Sequence, residues 1–102
     1  MEEGTLSIVV QPDGYRVRYA SNDAHGCERQ PATGLDEAGL AALLRACGLG
    51  LWAIQQACAE LQAGRMAILP LVCPRAQLDA TFPRALTSDT HTLDALQRHA
   101  RR

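Results

Sequence analysis

The residues that could do chemistry begin with four cysteines and three histidines. Thiolates and imidazoles are the usual ligands of zinc. A structural zinc site supplies them in close pairs, because a short turn can aim two ligands at one ion. Here only His25-Gly26-Cys27 makes such a pair, and no second pair answers it. Cys47, Cys58 and Cys73 stand alone, and Cys47 and Cys58 fall on apolar helical stripes, where a free cysteine packs as a small hydrophobe. The pattern names no metal ligand and no cofactor. Cys27 differs, because it lies in a polar stretch beside His25 and Arg29. Neighbouring cations lower a thiol's pKa and turn it into a nucleophile. No third group stands nearby to orient such a pair, so an incidental surface thiol is the preferred reading. A small Cys- or metal-dependent enzyme is the third-ranked function. Asp36-Glu37 reads as a helix start, not as an acid–base pair. Gly48-Leu49-Gly50 lacks the further glycine and lysine of a phosphate-cradling loop. No catalytic residue is assigned.

Contact chemistry is better represented. Arg16 and Arg18 alternate along a strand and point to one side, and Arg29 is a candidate to join them. Strand arginines can meet phosphate or the acidic groups of a protein. Val9 falls on the same side as an apolar contact. Trp52, the sole tryptophan, either closes the core near Gly48–Gly50 or, if exposed, anchors an interface. Residues 40–62 also carry the outline of a helix-turn-helix, with Gln55, Gln56 and Gln62 as base-reading side chains. That second helix has no cation before Arg65, whereas phosphate neutralisation supplies most of the affinity for DNA. A plain helical hairpin is therefore preferred.

The chain that must position these groups has 102 residues, a formal charge of −1 and 47% hydrophobic residues. One modest core is expected, and the balanced charge favours neither nucleic acid nor an acidic membrane. All its basic residues are arginine, as in proteins from GC-rich bacterial or phage genomes. No stretch reaches the roughly 20 apolar residues of a membrane span. Met1-Glu2-Glu3 does not open like a secretory signal. The expected location is the cytoplasm, with the thiols reduced.

Alternation predicts strands over 5–11 and 15–21, joined by Gln11-Pro12-Asp13-Gly14. An even loop sets Val10 against Tyr15, Ile8 against Val17 and Leu6 against Tyr19, all facing the core. Residues 22–34 show no apolar period and read as a loop. A helix capped by Thr33 or Asp36 carries Leu40, Leu43, Leu44 and Cys47 on one face. A second, from about Leu51 to Ala63, carries Leu51, Ile54, Cys58 and Leu61. Residues 66–73 read as a strand in which Pro70, having no N–H, demands an edge or a bulge. Leu78 and Phe82 mark a short helix stopped by Pro83.

The expected fold is α+β. A three-stranded, mainly antiparallel sheet, built from the hairpin and one later strand, carries a helical hairpin on one face. One or two short C-terminal helices follow. Residues 1–87 form a single domain, and 88–102 form a last helix or a frayed basic tail. The function expected is non-catalytic: a small accessory protein, an adaptor or inhibitor of a larger complex, that binds a protein partner. The contacts would come from Arg16, Arg18, Arg29, Val9 and Trp52. A homodimer through the open sheet face or the third strand is compatible with this pattern. A nucleic-acid-binding regulator using residues 40–62 is the second reading, and no membrane partner is expected.

Overall fold

The computed structural model describes residues 1–23 and 28–85. In it β1 (Glu2–Gln11) and β2 (Gly14–Ser21) form an antiparallel hairpin. Val10 lies opposite Tyr15, Ile8 opposite Val17 and Leu6 opposite Tyr19, the register the apolar alternation demands. A slip of one residue would turn those side chains to water. The ladder continues to Gln11 and Gly14, so Pro12-Asp13 alone makes the turn.

The sheet has four strands where the pattern predicts three. β3 (Ala32–Leu35) pairs with the far side of β2, β4 (Ala67–Cys73) pairs with β1, and the order β3-β2-β1-β4 is antiparallel throughout. All of β3 but Leu35 lies inside the stretch that reads as loop, because Ala-Thr-Gly-Leu has no apolar alternation to reveal it. Tyr15 pairs with Leu35 and Val17 with Ala32. Two β3 residues, Thr33 and Gly34, thus oppose the single Arg16, as in a β-bulge.

Among the described residues three helices cover one face of the sheet. α1 (Glu37–Ala46) is capped by Asp36, whose Oδ1 accepts the Gly39 N–H at 2.7 Å. α2 (Leu51–Gln62) follows, and α3 (Arg75–Thr81) comes after β4. α1 and α2 end alike. Gly48 N–H donates to Arg45 O while Leu49 N–H reaches Leu44 O; Gly64 N–H donates to Leu61 O while Arg65 N–H reaches Glu60 O. Each is a Schellman motif, and the glycines at φ +90° and +81° occupy its left-handed position.

The core lies between the helices and the sheet. Leu6, Ile8, Val17 and Tyr19 meet Leu40, Leu44, Cys47, Ile54, Ala57 and Leu61 there, with Leu78 and Phe82 of the α3 region. Two expected core residues fall outside it. Val10 is exposed beside Leu61 and Gly64, beyond the last turn of α2. Leu51 is exposed at the first turn of α2, and Ala57 takes the place expected of it on the buried stripe. Among the described residues no helix is long and apolar enough to cross a membrane. The expected final helix or tail, 88–102, lies outside the described residues.

Candidate interaction surface

Among the described residues no helix lies on the sheet's second face. Its side chains follow from strand alternation and from the ladder. Across it run the rows Val72–Glu3, Pro70–Thr5–Ala20 and Ile68–Ser7–Arg18, with Val9–Arg16 closing the end near Met66. Read along the strands, these rows make three columns. β4 presents Ile68, Pro70 and Val72, β1 presents Thr5, Ser7 and Val9, and β2 presents Arg16 and Arg18. Ile68 is 63% exposed, Val72 54% and Met66 52%. Burying a half-exposed side chain of this size is worth about 1 kcal/mol. Covering all three stabilises a complex by roughly 3 kcal/mol on the same scale.

The guanidiniums of Arg16 and Arg18 have no hydrogen bond or ion pair among the described residues. Together with Ser7, Val9 and Met66 they line a shallow hollow of about 270 Å³. Val9 is half-buried in its wall. The structure thus brings Val9, Arg16 and Arg18 together, and adds Met66, Ile68 and Val72. Period two along 66–73 places Ile68 and Val72 on one side of their strand. Which side stays bare depends on where the helices pack.

Backbone polarity explains Pro70. The Asn22 N–H donates to Glu3 O, so Glu3 spends its backbone groups on the β2 side. In an antiparallel ladder these groups alternate from side to side. Gly4, Leu6 and Ile8 therefore face β4, where they pair with Leu71, Leu69 and Ala67. Ile68, Pro70 and Val72 are left with their backbone on the free edge. A missing N–H costs no ladder bond there, and it leaves a gap in the middle of the edge.

Arg29 does not join Arg16 and Arg18. Its side chain is 2% exposed, and its NH1 donates to Asp79 Oδ1 at 2.7 Å and to Phe82 O at 3.1 Å. Its backbone forms a bridge to Arg84, flanked by Gln30 N–H to Pro83 O and Ala85 N–H to Glu28 O. It is an internal tether between residues 28–30 and 83–85, and its Nε finds no acceptor among the described residues. Asp79 lies below the usual carboxylate range because Arg29 donates to it. The sequence carries no sign of this pairing, since fifty residues separate the partners.

Trp52 does not close the core. It is 74% exposed, on the helical layer instead of the bare sheet face. α2 turns Leu51, Trp52, Gln55, Gln56 and Gln62 outward and has no basic residue in its last turn. Its apolar stripe is spent on the sheet, in the manner of a helical hairpin. Among the described residues no three His, Cys, Asp or Glu side chains gather as metal ligands. Cys47 and Cys73 are buried. Burial, and then the nearby Cys73, pushes the Cys47 thiol up to about 11, and burial raises Cys73 as well. His25 and Cys27 lie outside the described residues.

No known family model matches this chain, and neither a curated protein nor a solved structure shows significant similarity to it.

Proposed function

We propose that this chain is a small, non-catalytic, cytoplasmic accessory protein that holds a protein partner on the bare face of its sheet, as an adaptor or inhibitor of a larger complex. One observation carries the reading: a column of exposed apolar side chains on β4 stands beside two arginines that have no counter-ion among the described residues. An apolar patch rimmed by charge marks a contact surface for a macromolecule. The apolar column favours protein over nucleic acid, whose backbone offers nothing for it to cover. Burial sets Cys47 and Cys73 aside as nucleophiles, because a nucleophile has to be exposed and readily ionised.

Affinity capture from extracts of the source cells tests this. The wild-type chain retains a defined partner, Ile68→Asp/Val72→Asp loses it while keeping its circular dichroism spectrum, and Trp52→Ala keeps it. Equal capture by the wild type and the double variant would refute the proposal.

A further inference from the structure

We draw no further inference here: the strongest candidate, the bare sheet face on which Ser7 stands between Ile68 of β4 and Arg18 of β2, belongs to the surface already described, and nothing in the structure shows what covers it.

Discussion

Tyr19 is held from three sides. Its hydroxyl donates to Glu2 Oε2 at 2.7 Å, and its ring stacks on Phe82 with centroids 6.0 Å apart. The ring also lies across Gly4, where any Cβ would overlap it. Burial, and then the hydrogen bond and charge of Glu2, push its pKa up to about 12. In the unfolded chain a tyrosine ionises near 10. The fold thus holds Tyr19 protonated, and that contribution is complete below about pH 10 and lost as pH rises toward 12. Cys47 behaves alike one unit lower, from the ordinary thiol value of 9 up to about 11. The sequence contains no lysine and arginine stays charged, so the loss there belongs to tyrosine and cysteine, and buried Cys73, raised like Cys47, adds to its lower part. The urea midpoint is expected to fall between pH 9 and 12. Tyr19→Phe should flatten the upper part of that fall and Cys47→Ala the lower part. Urea titrations across that range, with absorbance at 295 nm following tyrosine ionisation, check it. The arginines divide in the same residue-level way. Arg29→Met strips Phe82 O of its donor in a buried site and should cost on the order of 2 kcal/mol in chemical denaturation. Arg16→Met should stay within about 0.5 kcal/mol of wild type. Sequence spacing cannot make that division, because nothing near Arg29 in the chain shows that it is buried until Asp79 and Phe82 are placed.

At the scale of elements, legibility follows local signals. The hairpin register could be read because Leu6, Ile8, Val17 and Tyr19 share a face only with an even loop. α1 and α2 could be read from Asp36, Gly48 and Gly64, whose capping chemistry is local. β3 could not, since its four residues are held by the open side of β2 and not by a pattern of their own. The place of Leu51 was out of reach for a similar reason. A helical stripe gives a direction, but where the stripe leaves the core depends on how far the sheet extends beneath it. Pro70 is the element-level device with the clearest consequence. It stands at the middle of β4, with its missing N–H on the free edge. Pro70→Val restores that donor and leaves the pairing with β1 unchanged. The variant is expected to self-associate through β4, and sedimentation velocity should show a concentration-dependent shift that the wild type lacks. Identical sedimentation of both chains would mean that Pro70 does not guard this edge.

The described residues make a sheet with one dressed and one bare side. The helices cover the first with leucine, isoleucine and alanine. The second is divided between an apolar strand and a strand bearing Arg16 and Arg18, with Glu3, Thr5, Ser7 and Val9 of β1 between them. Half of this surface was legible beforehand, because Val9, Arg16 and Arg18 show their common side by alternation alone. Met66, Ile68 and Val72 were not, because 66–73 is apolar on both sides and only the helices' choice of face leaves three of its residues in water. Of the other expected contacts, Arg29 went to the interior, while Trp52 stays exposed on the helical layer. The central claim is that the bare face is where this protein works. The most direct test places photoreactive benzoylphenylalanine at Ser7, between Ile68 and Arg18 on that face, and in a second chain at Gln55 on the helical layer. Both are irradiated in extracts of the source cells. The account predicts a discrete protein adduct from position 7, lost when Ile68→Asp/Val72→Asp is added, and none of the same mass from position 55. An adduct from position 55 with none from position 7 would contradict it.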